Sequence, residues 1–430
     1  MKRIILLLLL LEPLGLWAQS KTVKNWMEKD NYSLQPVLGL QLWSSYTMGA
    51  KVYDEPLGQY VAVDNRFNTQ LRRSRLGVKG TAFERLRFNF TAAMDLVGRD
   101  VFGGTEGGMN NGGSPAFRLW NAYIQWQLCS KREILYLTVG YQVPQIGRES
   151  TNAALRSSSM EKSWSQNYLR RHLVGTGPGR TMGVNLGGLL YKNNRRLNWT
   201  YHLGVFNAMT AQQRNSTGRA HAPLLVGRLI THWGAPVSKR YRLGGKTNFR
   251  GQRKGLSLGV AGARQGATDI YLANHAASLD LLFNWGPLNL DGEWTFLWRK
   301  GASTEPYEVS PSFTVRAQTG YLRLSYNIFL QNQTVLEPVL MWMLFTGEDS
   351  QIGQAHATQV HSLSGREQSF AGGLNWHLQD GLFLSLHYTH RFADAGFADL
   401  GATVNNYFYQ AGAGAIHRGN WVGLGMVFIL

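Results

Sequence analysis

The sequence holds one cysteine, Cys129, so no internal disulfide can form. After its first eighteen residues it has no long apolar run; the best is "PVLMWMLF", Pro338 to Phe345. A membrane-spanning helix needs about twenty apolar residues, so helical membrane proteins are excluded. Helical periodicity is scarce along the chain. Acidic residues are also few: 26 Asp and Glu face 44 Lys and Arg, a formal charge of +18. The basic residues are scattered rather than gathered in one helix or tail, which argues against nucleic acid as a partner.

What is present begins with an export leader. Lys2 and Arg3 precede the apolar run Ile4 to Leu11, and Leu16-Trp17-Ala18 puts a small residue before Gln19. This is the layout of a signal peptide over residues 1–18. Its removal lowers the net charge only to +17. An exported chain with one thiol must draw its stability from a sheet or from oligomerisation.

The remainder repeats one theme. Segments of about ten residues carry an apolar residue at every second position, as transmembrane β-strands do. Leu38–Gly49, Leu86–Leu96, Leu197–Asn207 and Leu384–Phe392 are examples. The connections alternate in length. Short ones ("TAFER", "SKRE", "KNNRR", "GP", "LQNQ", "LQDG") follow even-numbered segments, and long ones such as Gly98–Pro115, 145–179, 208–221 and 394–419 follow odd-numbered segments. This wiring predicts an all-β fold: a transmembrane antiparallel up-and-down β-barrel of about sixteen strands, with short periplasmic turns and long extracellular loops. Closure follows because every backbone amide in lipid must be paired, and an open sheet has two bare edges. Residues 19–37 are expected as a periplasmic segment and 38–430 as the barrel, with a constriction loop over about 145–180. Residues 234–254, "GAPVSKRYRLGGKTNFRGQRK", break the rule with a long basic connection where a short turn is due. Whether a bulged strand extension lies within it stays open. Trp43, Trp120, Trp126, Trp199, Trp285, Trp294, Trp298, Trp376 and Trp421 sit near segment ends and suit interfacial girdles.

Strand parity points Arg73, Arg75, Lys79, Arg87, Arg228, Arg299, Arg323 and Arg391 into the lumen, with Asp95, Asp280, Asp291, Glu293 and Glu337. The loop adds Arg148, Arg156, Lys162, Arg170, Arg171 and Arg180 against Glu149 and Glu161. Rings of Arg or Lys in a pore favour anions, and the planar fork of Arg suits carboxylate and phosphate oxygens. The competing expectation is that many strand Arg residues simply pair with acids to hold a wet interior.

Catalytic patterns do not assemble. "GLSLG", Gly255–Gly259, resembles a nucleophile elbow, but Ser257 sits mid-strand. His387 and His390 fall on opposite faces of a strand and cannot chelate together. Asp291 and Glu293 share a face, yet in a basic barrel they are expected as partners of Arg. "GTGPG", Gly175–Gly179, lacks the strand-before-helix setting of a phosphate cradle, and no zinc spacing exists. No enzyme, cofactor or metal is expected.

Four stretches resemble the phosphate-selective porin O/P family and its Bacteroidetes relatives. They are "LRRSRLGVKGTAFERLRFNF" (Leu71–Phe90), "WNAYIQW" (Trp120–Trp126), "VGYQVPQIGRESTNAALRSSSMEKSW" and "GPGRTMGVNLGG" (Gly177–Gly188). Weaker matches follow at Gly320–Phe329 and Gly372–Leu378. Gln142, Val143, Gln145 and Ile146 replace family Lys, Phe and neighbours, and Thr181 replaces an Asp. The resemblance implies a porin in the outer membrane, trimeric, with its third outer loop folded into the channel. The expected function is passive diffusion of small hydrophilic solutes with a preference for anions. A phosphate- or oxyanion-specific channel and a non-conducting structural or adhesion barrel are the alternatives.

Overall fold

The computed structural model describes residues 32–105, 115–192, 196–207, 219–302, 312–393, 397, 407–410 and 414–430. In chain order the barrel strands are β1 Ser33–Met48, β2 Arg66–Ala82, β3 Leu86–Ala93, β4 Arg118–Gln127, β5 Tyr136–Gln142 and β6 Thr181–Leu190. They continue with β7 Leu197–Phe206, β8 Leu224–Gly234, β9 Gly255–Gln265, β10 Ala273–Trp285 and β11 Leu288–Ala302. The last five are β12 Ser312–Tyr326, β13 Val335–Thr346, β14 Arg366–Gln379, β15 Leu382–Ala393 and β16 Asn420–Ile429. Each pairs antiparallel with its sequence neighbours. The barrel closes where β1 meets β16, with Gly39 opposite Ile429 and Met48 opposite Asn420. Two residues, Ile328–Phe329, continue the β12 edge beyond Asn327. The first strand starts at Ser33, earlier than the Leu38 expected from apolar alternation.

The alternation does what lipid requires. On β9, Leu258 and Val260 face outward while Ser257 and Gln265 are buried inside. Two-residue turns join β10 to β11 and β14 to β15, through Gly286-Pro287 and Asp380-Gly381. Gly286 (φ 56°) and Gly381 (φ 85°) supply the left-handed backbone those tight turns need. The wall is uneven in height: β11 and β12 span 15 residues each, β3 spans 8 and β5 only 7.

Two β-bulges interrupt the strands on either side of β3. Gln41 pairs with Arg73 and Leu42 with Leu71, so Arg72 is the extra residue in β2. Thr91 pairs with Asn121 and Ala92 with Leu119, so Trp120 is the extra residue in β4.

The largest apolar core lies within the barrel. The β5–β6 connection folds inward and carries two helices, α1 (Arg148–Thr151) and α2 (Ser165–Leu173). Ile146, Trp164, Tyr168, Leu169 and Leu173 of this segment pack on Leu297, Tyr321, Met341, Met343 and Phe345 of the wall. Tyr168 stacks on Phe345 with ring centroids 3.8 Å apart. At the loop end, α3 (Gln351–Gln359) packs beside β12, and residues up to Thr105 of the β3–β4 loop reach Thr47 and Gln70.

The tryptophan girdle needs correction. Trp126, Trp285 and Trp376 are exposed on the outer wall, but Trp43 and Trp421 are buried and stack inside beside Met160. Trp43 shares its face with Gln41 and Ser45, so strand parity sends it into the lumen.

Candidate functional site

A cavity of about 910 Å³ runs along the inner face of β1–β5, bounded opposite by residues 143–180 and 237–246. Its lining is one-sided in charge. Eleven cationic side chains border it: Arg73, Arg75, Lys79, Arg87, Arg156, Lys162, Arg170, Arg180, Arg240, Arg242 and Lys246. Among the described residues, no Asp or Glu side chain does.

The bulges shape this surface. In an unbroken strand Arg72 would face lipid, but the bulge turns both Arg72 and Arg73 inward to Glu161. Arg72 Nε donates to Glu161 Oε2 at 2.8 Å, and Arg73 donates to Oε1. Burial alone would raise the Glu161 carboxyl, but Arg72 and Arg73 hold it below the usual carboxylate range. On β4 the second bulge brings Trp120 and Asn121 together onto the cavity. The guanidinium carbons of Arg75 and Arg180 lie 3.7 Å and 3.6 Å from the Trp120 ring centroid. Two guanidiniums that close cannot share one face of a ring, so Trp120 is sandwiched between them. Arg75 is neutralised by Asp95 at 2.6 Å, which also meets Arg118 at 3.1 Å.

Three buried loop cations form no ion pair among the described residues, although the Glu149 carboxylate lies near enough to Lys162 and Arg170 to offset part of their burial. Arg180 donates to Asn121 Oδ1 (3.1 Å) and Pro178 O (2.8 Å). Arg170 donates to Ser150 O at 2.8 Å, and Lys162 to the carbonyls of Asn152 (3.0 Å) and Glu149. Burial pushes the Lys162 amine well below its ordinary range, reinforced by Arg170, Arg73 and Arg180. Burial also lowers Arg170 to about 10 and Arg180 well below its usual value. A desolvated group of like charges is the arrangement that an entering anion relieves.

The remaining cations singled out by sequence hold the inner segments in place instead. Arg228 and Arg148 both pair with Asp280 at 2.6 Å, and Arg228 also donates to Gly147 O. Arg323 meets Glu149 at 2.8 Å and Asp291 at 3.0 Å, and donates to Ser157 and Ser159. Arg299 donates to the carbonyl of His172 near the end of α2, and to Val360 O and His361 O at 2.7 Å. Those are carbonyls that a helix terminus leaves unsatisfied. Arg391 donates to Gly104 O and Gly419 O. Arg171 lies on the exposed side of α2, away from the large cavity. Glu293, expected as an Arg partner, accepts instead from the backbone N–H of Glu149 at 2.9 Å.

Arg72 and Trp120 (the latter expected in the girdle but found inside), Arg240, Arg242 and Lys246 escaped the sequence reading of the cavity. The first two break strand parity through bulges. The others belong to the segment 235–254, whose seven basic and no acidic residues were the only signal. Ser257 Oγ lies 2.7 Å from His232 Nδ1, but His232 Nε2 faces Thr200, so no carboxylate orients the ring. Ser257 is fully buried and receives the Arg253 guanidinium as a structural acceptor. Among the described residues no cluster could hold a metal ion.

Comparison with known proteins matches this geometry. Residues 45–395 fit the family model described as phosphate-selective porin O and P. The fold is shared with the outer membrane channel DcaP of Acinetobacter baumannii, at 13% identity and TM-score 0.53, over 94% of this chain and 99% of that one. It is likewise shared with the anion-selective porin from Comamonas acidovorans, at 13% identity and TM-score 0.55, over 93% and 100%. OprB of Pseudomonas putida is similar at 10% identity and TM-score 0.55, over 96% and 97%. No curated protein matches the sequence.

Proposed function

The chain belongs to the phosphate-selective porin O and P family and forms an outer-membrane porin channel, not an enzyme, and we propose that this channel prefers small anions. The observation that carries the reading is the cavity bordered by eleven cations and no Asp or Glu side chain among the described residues. Lys162, Arg170 and Arg180 form its selective station, because they make no ion pair among the described residues and are already desolvated. Solutes pass by diffusion, with the constriction formed by residues 143–180. The test is the reversal potential of purified protein in a planar bilayer under a salt gradient. Anion preference supports the reading; cation preference overturns it, and absence of conductance favours a structural or adhesion barrel.

A channel specific for phosphate or a similar oxyanion is the narrower reading. Arg170 and Arg180 offer guanidinium forks that fit tetrahedral oxyanions. Phosphate at sub-millimolar concentration should then block chloride current, and Arg180→Gln should relieve the block. Arg148 is a poor probe, since it is locked to Asp280.

We further read the assembly as a trimer, as the family resemblance implies. What supports a copy-to-copy interface is the low wall: β3 and β5 span 8 and 7 residues, whereas crossing lipid takes about 9–11. Export through a leader at residues 1–18 belongs to the same reading, and sequencing of the mature amino terminus should find Gln19. The kinship to a Bacteroidetes branch rests on the four stretches quoted above.

A further inference from the structure

The outer surface of the tall wall carries, near its loop end, a row of side chains that the lumen does not use. Arg264 of β9 lies opposite His275 of β10, His275 opposite Trp298 of β11, and Trp298 opposite Arg316 of β12. Neighbouring strands lie about 4.8 Å apart, so the two arginines frame the row at roughly 14 Å. Lys300 stands two residues beyond Trp298 on the same face, nearer the loop end. Arg264, Lys300 and Arg316 are exposed, while His275 and Trp298 are half-buried with ring centroids 5.6 Å apart. None of the three cations forms an ion pair among the described residues. The nearby carboxylates are engaged elsewhere. Glu348 accepts from the Arg316 backbone N–H at 3.2 Å, and Asp269 accepts from the backbone N–H groups of Arg219 and Ala220 at 2.8 Å. Arg366 of β14, by contrast, is paired with Asp349 at 2.6 Å.

Below this row the wall turns apolar and recedes. Gly262 and Ala277 stand side by side beneath Arg264 and His275, with Phe296 next to them. A Cβ on Gly262 would meet only Ala276 O, at 3.9 Å, so the surface there is an open recess. Leu258, Val260, Leu279 and Phe296 continue the outward apolar face toward the turn end. The outward positions of β9–β12 hold no Asp or Glu. β11 and β12 span 15 residues each, whereas about 9–11 cross the hydrocarbon. Their loop ends therefore stand at the level of lipid headgroups.

We propose that this row is a binding site for the phosphorylated sugar headgroup of an outer-leaflet glycolipid, of the lipopolysaccharide kind. Arg264, Lys300 and Arg316 take its phosphates, as basic side chains at headgroup level attract anionic lipid. The half-open Trp298 ring offers a flat apolar face to the sugar. The recess at Gly262 and Ala277 receives the first carbons of the acyl chains. One occupant with phosphates, sugar and chains matches all three features in their order down the wall. A free phosphate ion would use the cations but neither the ring nor the recess. The inference rests on the outer-membrane location and is independent of what the lumen passes, since every residue in it faces outward.

The test takes the full-length protein, delipidated in mild detergent, and adds purified lipopolysaccharide, the same glycolipid stripped of its phosphates, or inorganic phosphate. Thermal stability and bound adducts by native mass spectrometry are the readouts. Wild type should be stabilised by the intact glycolipid and hold it. The triple variant Arg264→Gln, Lys300→Gln, Arg316→Gln should bind it at least roughly tenfold more weakly. Its single-channel conductance should match wild type, because none of the three lines the large cavity. If the stripped glycolipid binds wild type as tightly as the intact one, or the triple variant loses nothing, the proposal is wrong. If inorganic phosphate alone stabilises wild type to the same degree, the row takes a free ion and the headgroup reading falls. The comparison of intact and stripped glycolipid on wild type decides the matter even where the variant fails to fold.

Discussion

Arg323 of β12 and Glu149 of α1 meet at 2.8 Å across the lumen, with both side chains only 1% exposed. Arg323 also neutralises Asp291 at 3.0 Å, so one guanidinium latches the inward segment to the wall through two carboxylates. Arg323→Met should leave both acids buried without a partner, a loss of about 3–5 kcal/mol for a broken buried pair. The apolar packing of Trp164, Tyr168 and Leu173 would keep the segment inside but loosen its α1 portion. The expected outcome is a folded barrel by gel mobility, with larger, noisier single-channel steps and weaker ion preference. Lys79→Met supplies the contrast: Lys79 is exposed on the cavity wall, so preference should fall with no loss of thermal stability.

Lys162 gives the channel a pH dependence of defined sign. Burial and three neighbouring arginines lower its pKa well below the ordinary lysine range. Its charge therefore switches on as pH falls through that lowered value and is absent above it. Anion preference should grow on acidification below the ordinary lysine range, and Lys162→Met should remove the part of the trend that Arg170 and Arg180 do not supply. One unit charge at ~6 Å in water is worth about 0.7 kcal/mol, or roughly threefold in permeability ratio. Reversal potentials measured across that range check both.

Much of this architecture is legible in the residues. The period-two apolar pattern and the alternation of short and long connections carry the closed sixteen-strand barrel, because lipid imposes both. The cavity wall is legible as far as parity holds, through Arg73, Arg75, Lys79 and Arg87. It fails at Arg72 and Trp120, since a bulge shifts parity without a composition signal. Parity also gives direction but not partner: Arg228, Arg299 and Arg323 do point inward, yet they hold loops. Their carboxylate partners lie 32 to 174 residues away in sequence, and others are backbone carbonyls, which no local pattern reveals.

Glu161 is the lone carboxylate held between Arg72 and Arg73, beside Lys162. Glu161→Gln removes that counter-charge while keeping a hydrogen-bond acceptor for Arg72. Anion preference should rise by roughly threefold, the worth of one unit charge in a wet lumen. Stability should fall, because two buried guanidiniums lose their partner. A shift of the reversal potential toward cations instead would mean that Glu161 acts chiefly as the tether of residues 157–163.

The low wall makes the last prediction. Phe90 on β3, Ile124 on β4 and Val139 on β5 are 55%, 51% and 45% exposed in a single chain. Strands of 8 and 7 residues there are too short for the ~9–11 that lipid asks. A charge at mid-bilayer on a lipid-facing strand costs about 2–4 kcal/mol and hinders assembly of the barrel itself. At a copy-to-copy interface the same charge instead separates otherwise folded subunits. Ile124→Arg should therefore give folded monomers by light scattering in mild detergent. Leu340→Arg on the tall β13 wall, at a residue 65% exposed, should instead lower the yield of folded barrel without changing its oligomeric state. If Ile124→Arg lowers folding yield as Leu340→Arg does and leaves trimers intact, that wall faces lipid and the interface lies elsewhere.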